Sequence, residues 1–291
     1  MSWTITRVLA WSADYLTQKG SASPKLDADL LLADVLGIER VHLYTDPDRP
    51  LQPGELAKYR EHIARRATGF PLAYQLGHRE FYSRRFEVGP GVLVPRPETE
   101  LLIDVALEHL PEHEGEGEEV WACDVGTGSG NIAITLAAER EHLNVLAIDM
   151  SEKAIEYATK NASALDVADR VRIVRGDRLE PVRAQGLEGK LALIVSNPPY
   201  VSKDDRGRLG FGVERHEPNE ALFPESDPLS FYKTFAAEAP RLLKPGGWLV
   251  CEVGQGQAEA VAKLFEATLT AIDIRKDLAG IARVVAGRSG C

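Results

Sequence analysis

From residue 98 onward, short apolar segments alternate with stretches of helical periodicity, and this alternation constrains the fold more than any other feature of the chain. Apolar strands that are separated by helices are typical of a mostly parallel sheet covered on both faces. The sequence therefore predicts an α/β fold in this part of the chain. The predicted strands lie at 120–125, 144–149, 171–175, 191–196 and 247–253, and Val284-Val285 suggests one more.

The first 80 residues follow a different pattern, in which apolar side chains recur at helical spacing. We predict three helices there, around Val8–Leu16, over Leu26–Leu36 and over Leu56–Ala67. The basic residues of the third helix are expected to form a solvated face; they are Lys58, Arg60, Arg65 and Arg66.

The two patterns predict a domain order. A small helical domain occupies 1–80, and the α/β domain occupies 98–291. Between them, at 81–97, β-prone residues lie on both sides of Gly89-Pro90-Gly91, which predicts a β-hairpin linker with its turn at these residues.

Composition excludes several classes of protein. The 291 residues carry 34 basic and 44 acidic side chains, and residues 1–80 hold ten of each, so the net charge of −10 belongs to the larger part. Such a balance disfavours binding to duplex nucleic acid, whose affinity depends largely on phosphate neutralisation. Three cysteines without a C-x-x-C pair predict neither a disulfide framework nor a thiolate metal site; they are Cys123, Cys251 and Cys291.

No targeting or membrane signal is evident in the sequence. The first residues lack the basic and apolar pattern of a signal peptide. No apolar run approaches the roughly 20 residues of a membrane-spanning helix. We therefore expect a cytoplasmic protein, and we expect it to act as a monomer.

The strand at 120–125 runs directly into a glycine-rich loop, Gly126-Thr127-Gly128-Ser129-Gly130. Alternate glycines let the backbone turn tightly and come close to a ligand. The helix that follows directs N–H groups and the positive end of its dipole to the same place. A dinucleotide fingerprint, G-x-G-x-x-G, would need a glycine at 131, where this chain has Asn131. The loop predicts a nucleotide-type pocket without the spacing for NAD.

Acidic residues follow the next two strands. Asp149 ends the second strand, where a carboxylate can accept both hydroxyls of a ribose; an alternative is that it begins the following helix, although Ser151 can cap that helix instead. Asp177 follows the third strand and can accept from an adenine amino group. Three strand ends with these groups predict an adenosine-bearing cofactor, and S-adenosylmethionine fits better than NAD.

The fourth strand ends in Asn197-Pro198-Pro199-Tyr200. An amide or exocyclic amine nitrogen is a poor nucleophile, because its lone pair is delocalised. Acceptors on its two N–H groups, the Asn197 side-chain oxygen and the Pro198 carbonyl, favour the tetrahedral geometry and the developing positive charge. The two prolines hold the loop rigid, and Tyr200 can stack on a flat substrate group. We predict that these four residues are catalytic and bind the substrate, with Asn197 also beside the cofactor.

The chain resembles the release-factor glutamine methyltransferases, the PrmC/HemK family, over nearly its whole length. Asn-Pro-Pro-Tyr is shared with adenine-N6 methyltransferases, but the Pro-Arg-Pro-Glu-Thr-Glu segment behind a helical front domain is particular to this family. The matching stretches are Pro71–Gly77, Glu80–Tyr82, Val94–Glu100, Asp124–Gly130, Asn197–Val201, Glu214–Pro218 and Ala221–Phe223.

The resemblance implies a seven-stranded methyltransferase sheet and an activity. A methyl group would pass from S-adenosylmethionine to the side-chain nitrogen (N5) of the glutamine in the Gly-Gly-Gln loop of peptide-chain release factors. By position, Gly126–Gly130 and Asp149 match the cofactor residues, Arg178 lies where relatives have a bulky residue beside the adenine, and Asn197–Tyr200 match the glutamine site. The front domain would dock the release factor.

Two points stay open at the level of sequence. After Ala221-Leu222-Phe223 the family continues with glycines, whereas this chain has Pro224-Glu225-Ser226-Asp227, so the shape of that loop is undetermined. The alternative function is methylation of adenine N6 or of guanine in nucleic acid. Such enzymes unstack a base and usually hold phosphates in a basic channel, which the neutral front domain and the acidic remainder disfavour.

Overall fold

The structure is a computed structural model that describes residues 2–111, 119–224 and 227–290. Cys291 lies outside the described residues, and so do Glu225 and Ser226 of the loop in which this chain differs from the family pattern. The chain divides into two compact units. The helical unit comprises Met1–His78 with Arg206–Glu217, and the sheet unit comprises Arg79–Asp205 with Pro218–Cys291.

The helical unit contains the three predicted helices. Prolines stand in the first turns of the second and third helices, where no intrahelical N–H bond is lost. Gly37 ends the second helix in the left-handed conformation, with φ of 63°. Its longer helices and a short fourth one are α1 (Ile5–Gln18), α2 (Pro24–Leu36), α3 (Pro53–Arg66) and α4 (Leu72–Leu76).

The basic run on α3 is only partly a solvated face. Lys58, Arg60 and Arg65 are exposed, as predicted. The prediction is wrong for Arg66, which is buried and donates from Nε to Asp27 Oδ2 at 2.7 Å. The reason is helical geometry: α3 packs on α2, and Arg66 lies on the side of α3 that meets the buried Asp27.

Residues 206–217 pack on the helical unit, although the sequence pattern places them within 98–291. Gly212 and Gly69 meet backbone to backbone, so a Cβ on Gly212 would lie 1.9 Å from the Gly69 carbonyl oxygen. The Arg66 guanidinium lies 4.9 Å from the centre of the Phe211 ring. His216 packs edge-on against Phe70 and contacts the Thr68 carbonyl, so its role here is structural.

A β-hairpin is present, but its turn does not lie at Gly89-Pro90-Gly91. Its strands are β1 (His78–Phe81) and β2 (Arg84–Glu87), joined through Tyr82 and Ser83, which both have positive φ. The Tyr82 N–H donates to the Glu100 side chain, which stabilises this unusual turn. Sequence reasoning missed it because neither turn residue is a glycine, proline, asparagine or aspartate.

The sheet unit contains a seven-stranded sheet in the order β5-β4-β3-β6-β7-β9-β8. The first five strands in this order are parallel, and β9 is antiparallel to both of its neighbours. The strands are β3 (Val120–Val125), β4 (Leu143–Asp149), β5 (Val171–Arg175), β6 (Leu191–Ser196), β7 (Leu243–Glu252), β8 (Thr270–Lys276) and β9 (Ala282–Arg288).

The predicted α/β fold is confirmed, and one strand was not predicted. The edge strand β8 mixes exposed polar residues with half-buried apolar ones, so it lacks the continuous apolar run of the central strands. In contrast, β3 and β6 are buried along their whole length. Among the described residues, none of the helices has the length and apolar character needed to cross a membrane.

Helices cover the sheet in two apolar clusters, one on each side. Because these strands are parallel, the carboxyl ends of β3, β4, β5, β6 and β7 lie at one edge of the sheet, where the chain leaves each strand for a loop. The helices of the sheet unit are α5 (Glu100–His109), α6 (Asn131–Glu139), α7 (Glu152–Ala164), α8 (Glu180–Ala184), α10 (Asn219–Leu222), α11 (Ser230–Leu242) and α12 (Ala258–Phe265). The short α9 (Val213–His216) belongs to the helical unit.

Candidate active site

Backbone N–H groups of the glycine loop after β3 donate to the end of β4, and these hydrogen bonds hold the loop in place. The N–H groups of Gly126 and Thr127 both donate to the Ile148 carbonyl, at 2.9 and 3.0 Å. The Gly128 N–H donates to Asp149 Oδ2 at 2.9 Å. Gly126, Gly128 and Gly130 all have positive φ, a backbone conformation that glycine adopts without steric cost. These N–H groups serve the protein's own structure, so the loop offers fewer free donors than the sequence suggested.

Asp124, at the end of β3, organises the loop from below. It is fully buried, and its Oδ2 accepts from the Thr127 hydroxyl at 2.6 Å and from the Ala133 N–H in the first turn of α6 at 3.1 Å. Burial raises its pKa from 3.8 to about 7, and the two hydrogen bonds oppose that rise. Asp124 is therefore a structural acid that ties β3, the loop and α6 together.

Asp149, at the end of β4, links the loop to the next helix. Besides Gly128, its carboxylate accepts from the Ser151 N–H at 2.9 Å. The Ser151 hydroxyl caps α7 by accepting from Ala154, so the capping alternative considered for Asp149 belongs to Ser151. Each Asp149 oxygen has a further lone pair for a ligand hydroxyl. Burial raises the pKa of Asp149, and its backbone hydrogen bonds oppose the rise.

Asp177 and Arg178 follow β5. The Asp177 side chain is exposed at the site, and its Oδ1 lies 3.8 Å from Arg178 Nε, which leaves lone pairs for a ligand donor. Arg178 has a φ of 47°, and its guanidinium lies 4.6 Å from the centre of the Phe231 ring while donating to the Thr234 hydroxyl at 3.2 Å. Arg178 and Phe231 thus form one flat wall of the site.

Asn197 lies just beyond β6, and its side-chain amide is oriented by the protein. Its Nδ2 donates to the Thr99 hydroxyl at 3.1 Å. In the described parts of the chain, no hydrogen bond is donated to its Oδ1. Pro199 lines the site and Pro198 is buried behind it. An acceptor oxygen is therefore presented on the proline loop, and its role toward a substrate stays a prediction.

Tyr200 points away from the cavities and toward a buried acid that sequence reasoning missed. Its hydroxyl donates to Glu252 Oε1 at 3.1 Å. Burial and the neighbouring Glu252 raise the pKa of this hydroxyl, so it stays protonated and acts as a donor. Tyr200 is not among the residues that line the two cavities described below. Its stacking on a substrate stays a prediction.

Glu252, at the end of β7, accepts hydrogen bonds from both Thr99 and Tyr200. It is 1 % exposed, and its Oε2 accepts from the Thr99 hydroxyl at 2.6 Å. Burial raises its pKa, while the Thr99 and Tyr200 hydrogen bonds and the charge of Arg283 lower it. The signal for Glu252 in the sequence is an acid at the end of an otherwise apolar strand, and Thr99 lies in the Pro-Arg-Pro-Glu-Thr-Glu segment.

Two cavities meet at this edge of the sheet. The larger, of about 800 Å³ and open to solvent, is mainly apolar, and the smaller lies beside Thr99 and Arg96. Both are lined by Leu93, Gly126, Gly128 and Asn197. Predicted site residues that line only the larger cavity are Asp149, Asp177, Arg178 and Pro199; Thr127 and Ser129 line only the smaller, and Gly130 lines neither.

The larger cavity fits an adenosine-bearing cofactor by the chemistry of its lining. Carboxylates at Asp149 and Asp177 suit a ribose diol and an adenine amino group. Between them lie apolar or flat side chains that suit a purine ring, including Met150, Ala154 and Phe231. Gly91, Val92 and Leu93, which the sequence pattern assigned to the hairpin linker at 81–97, also line this cavity.

Comparison with known proteins gives consistent matches. Residues 7–77 match the family model described as "PrmC N-terminal domain", and 99–209 match "Methyltransferase small domain". The release factor glutamine methyltransferase of Geobacter sulfurreducens is 41% identical over 289 residues, covering 99% of this chain and 98% of the relative. That of Bacillus subtilis is 37% identical over 284 residues, covering 97% and 96%. A methyltransferase structure from Pyrococcus furiosus shares the fold, with a TM-score of 0.52 at 19% identity, covering 72% of this chain and 91% of that one.

Proposed function

Because the chain belongs to the release factor glutamine methyltransferase family, we propose that it transfers a methyl group from S-adenosylmethionine to the N5 nitrogen of a release-factor glutamine, the one in the Gly-Gly-Gln loop. The observation that carries the proposal is the Asn197 oxygen, which lies where the two cavities meet and has no donor among the residues that the structure describes. One cavity then holds the cofactor and the other admits the glutamine side chain.

The residues that hold the cofactor are those at the ends of β3, β4 and β5. Asp149 accepts from the ribose hydroxyls while it keeps the Gly126–Gly130 loop in place, Asp177 accepts from the adenine amino group, and Arg178 with Phe231 flanks the ring. S-adenosylmethionine supplies a methyl group on a positively charged sulfur, which keeps the electron pair of the broken carbon–sulfur bond when the new nitrogen–carbon bond forms.

The chain's own residues prepare the glutamine nitrogen for attack. The Asn197 Oδ1 and the Pro198 carbonyl accept from its two N–H groups, which turns its lone pair toward the methyl group and stabilises the positive charge that develops on nitrogen. The rigid proline loop keeps these acceptors aligned. No side-chain base is needed before attack, because the nitrogen becomes acidic once methylated and releases its proton to water.

We also propose that the helical unit docks the release factor and that the enzyme acts as a monomer without binding nucleic acid. Exposed aromatic side chains support the docking role: Trp11, 49% exposed, is stacked on Tyr15 with their rings 5.2 Å apart. Large aromatic groups of this kind are enriched at the centres of protein interfaces. The unit is nearly neutral, with 12 basic and 11 acidic residues, so it lacks the strong basic excess that phosphate binding favours.

The function is tested with S-adenosylmethionine labelled in its methyl group. The protein is incubated separately with a release factor, with the variant whose loop glutamine is alanine, and with DNA or RNA. Label is expected on the release factor alone, at the glutamine, as mapped by peptide mass spectrometry. Asn197→Ala is expected to lower turnover by about 10²–10³ with little change in cofactor affinity. Equal label on the alanine variant, or label on nucleic acid, would refute the proposal.

A further inference from the structure

The Asn197 side chain presents its oxygen to the substrate only if its amide has one of two orientations. Rotation by 180° about the last side-chain bond exchanges oxygen and nitrogen at almost no change in shape. In the reversed orientation an NH₂ group would meet the N–H groups of the substrate glutamine, and both sides would be donors. Some neighbour of Asn197 must therefore distinguish the two orientations.

Thr99 is the neighbour that contacts the amide. Thr99 is 2% exposed, and its hydroxyl lies 3.1 Å from Asn197 Nδ2 and 2.6 Å from Glu252 Oε2. A hydroxyl has one proton to donate and lone pairs with which to accept. If the proton goes to Glu252, the oxygen can only accept from Asn197, and the amide nitrogen must face Thr99.

Glu252 determines where the Thr99 proton goes. Both of its oxygens are occupied by hydroxyl donors, Thr99 on Oε2 and Tyr200 on Oε1. A carboxylate is an acceptor at both oxygens, whereas a neutral amide of the same shape would carry a donor at one of them. The Tyr232 hydroxyl, at 2.8 Å from the Glu252 backbone carbonyl, further anchors the end of β7.

We propose that Glu252 and Thr99 are positioning residues that orient the Asn197 amide, so that its oxygen rather than its nitrogen faces the substrate glutamine. The proposal rests on the proposed function, because it assigns the purpose of the orientation to that glutamine. Tyr200 contributes indirectly: its hydroxyl donates to Glu252 Oε1, which leaves Oε2 to accept from Thr99.

Thr99→Val tests the proposal, because valine keeps the shape of threonine and removes the hydroxyl. The Asn197 nitrogen then loses its acceptor, and the amide is expected to turn its nitrogen toward the cleft. We expect kcat on the release factor to fall about 5- to 100-fold, with KM and cofactor affinity changed less than about threefold. Thr99→Ser keeps the hydroxyl and is expected to restore most of the turnover.

The matched control is Thr135→Val. Thr135 is also fully buried in the sheet unit, but its hydroxyl has no hydrogen-bond partner among the described residues. This substitution is expected to leave kcat unchanged. In a second variant, Glu252→Gln, the amide can donate to Thr99, which frees the Thr99 proton for the Asn197 oxygen; kcat is expected to fall at least about fivefold.

A spectroscopic measurement separates this proposal from the proposed function. In protein labelled with ¹⁵N-asparagine, the Asn197 side-chain NH₂ signal, assigned through Asn197→Ala, is expected to shift and exchange faster in Thr99→Val than in the wild type. An unchanged signal, or kcat within twofold of wild type in both Thr99→Val and Glu252→Gln, would overturn the positioning role. A wild-type enzyme that methylates no release factor would instead refute the proposed function, whatever the signal shows.

Discussion

Asp124→Asn provides a direct test of how the cofactor loop is stabilised. Asp124 is fully buried at the end of β3, and burial raises its pKa from 3.8 to about 7. The folded protein therefore holds a proton on Asp124 at pH values where the unfolded chain has released it. Asparagine keeps the size of the side chain and an oxygen for Thr127 and Ala133, but it has no titrating proton.

The magnitude follows from the two pKa values. Between pH 4 and pH 7 the folded state binds more protons than the unfolded state, so this group makes the free energy of unfolding fall as the pH rises. Each pKa unit corresponds to about 1.4 kcal/mol. From pH 5 to pH 8 the wild type is therefore expected to lose about 2–3 kcal/mol relative to Asp124→Asn. The constant cost of burying the asparagine NH₂ group cancels in this comparison.

The assay is unfolding in urea at constant ionic strength, followed by tryptophan fluorescence, at pH 5, 6, 7 and 8 for both proteins. The difference between their free energies of unfolding is plotted against pH. Asp169→Asn serves as a control, because Asp169 is an exposed acid of the same unit; its difference from wild type is expected to vary by less than about 0.5 kcal/mol.

Two results would refute this reasoning. If the difference between wild type and Asp124→Asn stayed constant from pH 5 to pH 8, the carboxyl would not titrate in this window. If the wild type gained stability relative to the variant as the pH rose, the carboxylate form would be the one that the fold favours, and the hydrogen bonds from Thr127 and Ala133 would outweigh burial.

Three further predictions concern the loop, the helical unit and the docking surface. Asp149→Ala is expected to weaken binding of S-adenosylhomocysteine by about 1–3 kcal/mol in calorimetry, and an affinity within twofold of wild type would contradict the role of Asp149. Gly212→Ala, whose Cβ would lie 1.9 Å from the Gly69 oxygen, is expected to expose residues 206–217 to protease far more than Gly207→Ala, where φ is also positive but nothing lies within 4 Å; equal cleavage rates would argue against the contact. Trp11→Ala is expected to raise KM at least fivefold for the intact release factor but not for a Gly-Gly-Gln peptide, while Leu278→Ala, an exposed residue of the sheet unit, changes neither; a parallel rise for the peptide would count against docking.

The central sheet was predictable because buried parallel strands have a strong and local pattern. In β3 and β6 every residue is buried, so the apolar runs gave the strand bounds as the structure has them. The residues just beyond these strands then follow from topology, since parallel strands end at one edge. This is why Asp149 and Asn197 could be assigned to one site without coordinates.

Features that depend on which elements pack together were not predictable in the same way. The charge pattern of α3 does not reveal that Arg66 meets the buried Asp27. The edge strand β8 has too few buried residues to be distinguished from a loop. Thr99 and Glu252 are 153 positions apart. The pairing of β6 with β7 brings the end of β7 near Asn197, and the Thr99 hydroxyl, just before α5, contacts both side chains.

The buried acids of the site share one physical property that bears on its chemistry. Asp124, Asp149 and Glu252 end β3, β4 and β7, and burial raises the pKa of each. A buried carboxylate is costly unless it is hydrogen-bonded, and each of the three accepts from two or more donors of the loops around it. Of the three, Asp149 lines the larger cavity, where a hydrogen-bonded carboxylate suits a cleft that holds a positively charged methyl donor. The acidity of the sheet unit, which at the level of composition only disfavoured nucleic acid, thus has a specific counterpart at the end of the strands.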